Sequence, residues 1–123
     1  MLNLPPGIQI FMATAPVDMR KSFDGLSAVV QSVFERSVLD GHLFLFLNRR
    51  RDRIKILWWD RDGLAIWSKR LEGGSYEIPR HAQDTQQLQL DATQLALLLN
   101  GVKLDSAQRR RRYVRPESTA AAC

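Results

Sequence analysis

The chain has 123 residues, 45% hydrophobic and 25% charged, which predicts one folded domain. Its net charge of +5 favours an acidic partner such as nucleic acid. The sequence holds one cysteine, Cys123, so it offers no internal disulfide, and with two histidines it offers no zinc-ligand spacing. We therefore expect a cytoplasmic protein with no cofactor and no metal. No membrane segment is expected either, since no apolar run approaches the ~20 residues that span a bilayer.

The first third of the sequence predicts a strand, a loop and a helix. Residues 8–13 (IQIFMA) are short, apolar and partly β-branched, as strands are. Residues 14–21 (TAPVDMRK) read as a loop. Hydrophobic side chains then recur at helical spacing through residues 23–36, which predicts a long amphipathic helix capped by Asp18 or Ser22. Its buried face is predicted to carry Phe23, Leu26, Val29, Val30, Val33 and Phe34.

The middle of the sequence predicts three successive strands. Residues 42–47 (HLFLFL) are apolar on both faces and are expected at the centre of a sheet. A polar connection, NRRRD, leads to a strand over 53–59 (RIKILWW). A DRDG turn then leads to a strand over 64–71 (LAIWSKRL). Alternation places Ile54, Ile56 and Trp58 on the core face of the second strand and Arg53, Lys55, Leu57 and Trp59 on the other.

The last third predicts short elements and a tail. Short strands are expected over residues 75–78 and 86–90. Residues 91–100 predict a helix with Asp91 as its cap, Gln94 as the capping-box partner and Gly101 as its stop. Hydrophobic periodicity ends at residue 102. The predicted fold is therefore α+β: a small antiparallel β-sheet meander, one long helix after the first strand and a short C-terminal helix. Residues 1–101 form the domain, and 102–123 form a basic, disordered tail.

The sequence carries no constellation that predicts catalysis. Asp60 and Asp62 lie in a tight turn, where acidic residues are common for conformational reasons. His42 opens a strand and His81 follows Pro79-Arg80, and neither has a catalytic motif beside it. No glycine-rich phosphate loop is present. We therefore expect a protein that is not an enzyme.

Basic residues concentrate in two places. Residues 49–70 hold eight Lys/Arg, three Asp/Glu and all three tryptophans, and the tail carries Arg109, Arg110, Arg111 and Arg112. One interpretation is a nucleic-acid surface, because Lys and Arg neutralise phosphates and aromatic rings stack on bases. On this interpretation Arg53, Lys55 and Trp59 share a face with Trp67 and Lys69. The other interpretation is a solvated or protein-binding face over an ordinary tryptophan core.

Three stretches of the sequence closely resemble one family. They are PVDMRKSFDGLSAVV (16–30), GHLFLFLNRRRDRIKILWWDRDGLAIWSKRLEGGSYEIP (41–79) and QLQLDATQLALLLNGV (87–102). The family is the small accessory protein of IS66-type bacterial insertion sequences, called Orf2-like or TnpB-type. This family is distinct from the RNA-guided nucleases that share the TnpB label, which are far longer and carry an acidic catalytic set. The resemblance covers residues 8–102, and it implies a role in transposition beside the transposase and the element's other small protein.

The function we expect is a non-catalytic transposition accessory protein that binds the DNA ends of its element. The residues predicted to contact nucleic acid are Arg20, Lys21, Arg49, Arg50, Arg51, Arg53, Lys55, Trp59, Arg61, Trp67, Lys69, Arg70, Arg109, Arg110, Arg111 and Arg112. The alternative is an adaptor that binds the transposase without touching DNA, through a patch formed by Leu57, Trp59 and Trp67. A homo-oligomer is compatible with either function.

Overall fold

The computed structural model describes residues 6–79 and 85–101. In chain order the elements are β1 (Ile10–Ala13), α1 (Phe23–Val29), β2 (Leu43–Leu47), β3 (Arg53–Asp60), β4 (Gly63–Arg70), β5 (Gln87–Leu90) and α2 (Ala92–Leu99). The strands form one sheet in the order β4-β3-β2-β1-β5. This confirms the α+β class, and it confirms β2 as the central strand, with all five of its residues buried.

The sheet is mixed, so the prediction of a wholly antiparallel sheet is wrong. The β2-β3-β4 meander is antiparallel as expected, and β5 is antiparallel to β1. However, β1 runs parallel to β2, with Ile10 beside Leu43. The segment that contains α1 carries the chain back to the starting end of β1, and a crossover of this kind is what parallel neighbours require.

The single long helix predicted over 23–36 is also wrong. The seven residues of α1 are followed by a five-residue π-helical turn, Val30–Phe34, and Glu35 then ends the helix in the left-handed conformation with φ 54°. The β-branched valines in this segment favour a regular α-helix only weakly. Leu26, Val30 and Phe34 are buried as predicted, whereas Phe23 is 44% exposed.

Each face of the sheet has its own core. One core joins alternate residues of the strands to α2 and to the segment after β4, where Tyr76 and Ile78 are buried without forming the strand predicted over 75–78. The other core packs α1 and the π-helical turn against Phe11, Phe44, Phe46 and Leu57. The capping box of α2 is confirmed, since Asp91 and Gln94 exchange hydrogen bonds of 2.7 and 2.9 Å. The tail, 102–123, lies outside the described residues.

Candidate nucleic-acid interface

A turn with four arginines joins β2 to β3; we call residues 48–53 the basic turn. Asn48 fixes its shape, because the side-chain oxygen of Asn48 accepts from the N–H groups of Asp52 and Arg53 at 3.1 and 3.0 Å. The Asn48 amide also donates to the Asp52 carboxylate at 2.6 Å. These hydrogen bonds close the turn from inside, and its arginine side chains take no part in them.

Arg51 stands apart from the other arginines of the basic turn. Its backbone is left-handed with φ 58°, and its carbonyl accepts the N–H of Tyr76 at 2.7 Å. The neighbouring Asp52 carbonyl accepts the N–H of Leu71 at 2.6 Å. The segment after β4 therefore supports the basic turn from one side. Arg51 is half-buried, while Arg49, Arg50 and Arg53 are exposed.

Residues 16–21 form a second structured segment, which we call the PVDMRK loop. The Asp18 carboxylate accepts from the Arg20 N–H at 2.9 Å and from the Arg20 guanidinium at 2.7 to 3.1 Å. These hydrogen bonds from Arg20 lower the pKa of Asp18 to about 2. Asp18 thus organises this loop instead of capping α1, and Ser22 stands at the cap position without a side-chain hydrogen bond.

Lys55 ties the PVDMRK loop to the sheet. Its ammonium group donates to the carbonyls of Met19 and Lys21, both at 2.8 Å. The sequence predicts Lys55 as a nucleic-acid contact, but two of its three N–H groups are used inside the protein. This role of Lys55 was not predicted, although the sequence held a signal for it: Lys55 alternates onto the same face as buried Leu57, and an ammonium on a covered face needs hydrogen-bond partners.

The basic turn and the PVDMRK loop together line an open cleft of about 470 Å³. The Val17 N–H donates to the Leu47 carbonyl at 2.9 Å, which brings the loop to the end of β2 where the turn begins. The hydrogen bond from Asn48 lowers the pKa of Asp52 within the turn, with a smaller contribution from Arg50 and Arg53. The cleft is lined by Pro16, Val17, Asp18, Met19, Asn48, Arg49, Arg50, Asp52 and Arg53.

The basic residues predicted to contact nucleic acid fall into two groups: those that form an ion pair with a carboxylate and those that form none. Among the described residues three arginines have acidic partners: Arg20 with Asp18 at 2.7 Å, Arg70 with Glu72 at 2.9 Å and Arg61 with Asp60 at 4.0 Å. All three arginines are exposed. The side chains of Arg49, Arg50 and Arg53 form no ion pair within the part of the chain that the structure describes. These three arginines line the cleft together.

Comparison with known proteins places this sequence in a family. Residues 8–109 match the family described as IS66 Orf2 like protein. The chain belongs to the IS66 Orf2-like family. This IS66 Orf2-like protein is also similar to two proteins of Sinorhizobium fredii, uncharacterized protein y4hO and uncharacterized protein y4jC. The first is 34% identical over 101 residues, 80% of this chain and 86% of the relative. The second is 35% identical over 79 residues, 64% and 68% of the two chains.

Family membership carries a coarse function. The IS66 Orf2-like family is one of transposition accessory proteins and is not a known catalytic family. The match extends past the resemblance seen in the sequence and reaches Arg109, the first residue of the arginine run. Arg109, Arg110, Arg111 and Arg112 lie outside the described residues, so their predicted role stays a prediction. No solved structure matches the chain.

The tryptophans of this IS66 Orf2-like protein do not form the shared platform that the sequence predicts. Trp67 pairs with Ile56 and therefore lies on the face of Trp58, where both rings pack against the core that contains α2. Trp59 pairs with Leu64 on the opposite face. Because the turn has two residues, Arg61 and Asp62, each odd-numbered residue of β3 lies opposite an even-numbered residue of β4. The prediction placed odd-numbered residues of the two strands on one face and is wrong.

The same β3–β4 register corrects two further predictions. Lys69 lies opposite Ile54, so it does not share a face with Arg53 and Lys55. The adaptor patch of Leu57, Trp59 and Trp67 does not form either, because Leu57 is fully buried and Trp67 faces the other way. In the DRDG turn the left-handed backbone falls at Arg61, with φ 59°.

The remaining polar candidates have structural contacts. The Nδ1 atom of His42 accepts the Gln9 N–H at 3.0 Å, and its ring meets the Phe11 ring edge-on. His81 lies outside the described residues. Within residues 6–79 and 85–101 no group of three His, Cys, Asp or Glu side chains could hold a metal ion. None of the helices in those ranges is long and apolar enough to cross a membrane.

Proposed function

We propose that the protein is a non-catalytic transposition accessory protein that binds DNA phosphates at the basic turn. The observation that carries the proposal is the cleft, where the exposed side chains of Arg49, Arg50 and Arg53 form no ion pair with the described residues. Family membership supports the setting, since a transposition accessory protein works beside DNA.

The chemistry of the cleft suits phosphate. An arginine guanidinium is always charged, and its planar fork matches two phosphate oxygens at once. The Asn48–Asp52 hydrogen bonds hold the backbone of the turn before any ligand arrives, so binding orders fewer groups and costs less free energy. Contacts of this kind go to the DNA backbone and read no base, so they predict binding with little sequence preference.

A salt titration tests the proposal. A labelled duplex carrying insertion-sequence ends is titrated with the whole protein at increasing salt, and binding is followed by fluorescence anisotropy. If three arginines each neutralise one phosphate, log K against log salt has a slope of about −3. Replacing Arg49, Arg50 and Arg53 by alanine is expected to flatten that slope towards zero and to weaken binding at least about 30-fold at low salt.

The protein offers a matched control for this variant. Replacing the three ion-paired arginines, Arg20, Arg61 and Arg70, by alanine removes the same charge. Because each already has a carboxylate partner, this variant is expected to lose much less affinity than the cleft variant. Equal losses would mean that overall charge alone governs binding. No binding by the wild-type protein at low salt would refute the proposal.

An adaptor that binds the transposase remains the second candidate. Two large apolar side chains, Phe23 and Leu39, are 44% and 62% exposed. Phe23 begins α1, and Leu39 lines a groove together with Ser27 of α1. A pull-down of the transposase separates the two functions. Loss of the pull-down with Leu39→Glu, together with its survival in the Arg49, Arg50 and Arg53 alanine variant, favours an adaptor site distinct from the cleft.

A further inference from the structure

The two edges of the sheet are built differently. The edge strand β5 has four residues, and its Gln87 and Gln89 are exposed and polar. The edge strand β4 has eight residues, Gly63–Arg70, with an uninterrupted apolar run from Leu64 to Trp67. Long apolar edges without proline invite pairing with another strand, and proteins usually blunt them. Within β4 the charged residues, Lys69 and Arg70, lie only at its C-terminal end.

One hydrogen bond reveals which backbone groups of β4 point outward. The Leu71 N–H donates to the Asp52 carbonyl and so points towards β3. Because N–H directions alternate along a strand, Ala65, Trp67 and Lys69 also point towards β3. Leu64, Ile66, Ser68 and Arg70 therefore direct their N–H and C=O groups away from the sheet. No backbone hydrogen bond joins these four to a described residue beyond the β3–β4 pair.

The two ends of β4 carry complementary charge. Before the start of β4, the last residue of β3, Asp60, and the turn residues Arg61 and Asp62 carry a net charge of −1. Lys69, Arg70 and Glu72 lie at its far end, for a net charge of +1. An antiparallel copy of the strand would bring each acidic end to a basic end. We propose that β4 is a dimer interface, where two copies of this chain pair antiparallel to form a ten-stranded sheet.

The charges also select a register. Ile66 opposite Ile66 of the second copy, on the two-fold axis, sets Leu64 opposite Ser68 and Asp62 opposite Arg70. Shifting the axis to Ala65 would set Lys69 opposite Arg61, and like charges directly opposite each other are destabilising. Shifting it to Trp67 would set Arg70 opposite Leu64, with no ionic partner. With Ile66 on the axis, the half-buried Trp67 meets Ala65 of the second copy and Ile66 becomes covered.

A proline substitution tests the dimer without disturbing the fold. The Ser68 N–H points outward, so Ser68→Pro removes a hydrogen bond between copies and leaves the β3–β4 ladder intact. Ser68→Ala keeps that N–H and is the control. In sedimentation velocity the wild type and Ser68→Ala are expected at twice the 14.1 kDa chain mass. Ser68→Pro is expected to dissociate at least about tenfold more readily, with an unchanged melting temperature at a concentration low enough for both proteins to be monomeric.

A charge exchange tests the register. Asp62→Arg is expected to weaken the dimer because it opposes Arg70 of the second copy, and Asp62→Arg combined with Arg70→Asp is expected to restore it. A wild-type protein that stays monomeric at high concentration would overturn the proposal, and so would a Ser68→Pro variant that dimerises like the wild type. Failure of the charge exchange to restore the dimer would overturn the register. The proposed dimer uses the β4 edge and not the cleft, so a loss of DNA binding would not contradict it.

Discussion

The two segments that line the cleft use their positive charge differently. In the PVDMRK loop Arg20 is bound to Asp18, and the loop carbonyls take up the Lys55 ammonium. In the basic turn the backbone and Asn48 supply the hydrogen bonds, and the side chains of Arg49, Arg50 and Arg53 take no part in them. Cations of the first kind maintain the structure, and cations of the second kind are available to a ligand. Their positions in the sequence do not distinguish the two kinds.

Lys55→Met should produce the largest change in stability. It removes two charge-assisted hydrogen bonds and detaches the PVDMRK loop from β3, so we expect unfolding to become easier by about 2 kcal/mol in a urea titration. Lys69→Met, which removes an exposed ammonium from the neighbouring strand, is the control and should change stability by less than about 0.5 kcal/mol. Equal stability of the two variants would show that the Lys55 contacts contribute nothing.

Asn48→Ala should have a somewhat smaller effect. It removes three hydrogen bonds that close the basic turn, and we expect a loss of about 1.5 kcal/mol in the same titration. Asn48→Asp is the informative companion, since it keeps the acceptor for two N–H groups but faces the Asp52 carboxylate with a second negative charge. If Asn48→Asp equals the wild type in stability, the donated bond to Asp52 is unimportant.

Local patterns in the sequence were enough to predict much of this fold. The meander β2-β3-β4 and the capping box of α2 depend on residues close together in the chain, and they are confirmed. The parallel pairing of β1 with β2 was missed because it joins residues 33 apart through a crossover. The cleft was missed for the same reason. Its two walls were each singled out in the sequence, but only the tertiary contacts of Val17 and Lys55 bring them together.

The carboxylates in the two segments predict a smaller, pH-dependent effect. The pKa of Asp18 falls from 3.8 to about 2 in the folded protein, mainly through hydrogen bonds from Arg20, and the pKa of Asp52 is also lowered. A lowered folded-state pKa contributes stability above the unfolded value and loses it as pH falls. Stability should therefore decline between pH 3.8 and 2, and Asp18→Asn should flatten that decline. Asp24→Asn, which removes an exposed carboxylate with no side-chain hydrogen bond to the described residues, is the control variant.

Glu72→Gln should have the smallest effect. It turns an arginine that is held in an ion pair into one that is available to a ligand. It releases Arg70, which lies beside Arg53 on the adjacent strand, from its carboxylate partner. We expect DNA binding at low salt to tighten by about two- to threefold, since one more cation can meet phosphate. Glu35→Gln makes the same charge change at the end of the π-helical turn. Equal tightening in both variants would trace the effect to net charge.

The position of β1 constrains when the molecule can be completed during synthesis. Its neighbour β2 follows within the first half of the chain, but its other neighbour, β5, pairs Leu90 with Ile10 across 80 residues. A growing chain can assemble the β2-β3-β4 meander well before β5 leaves the ribosome, while one side of β1 still lacks its hydrogen-bonding partner. Folding of the nascent protein is therefore expected to require β5 and the capped helix α2, and a chain cut short before residue 87 would leave β1 as an open edge.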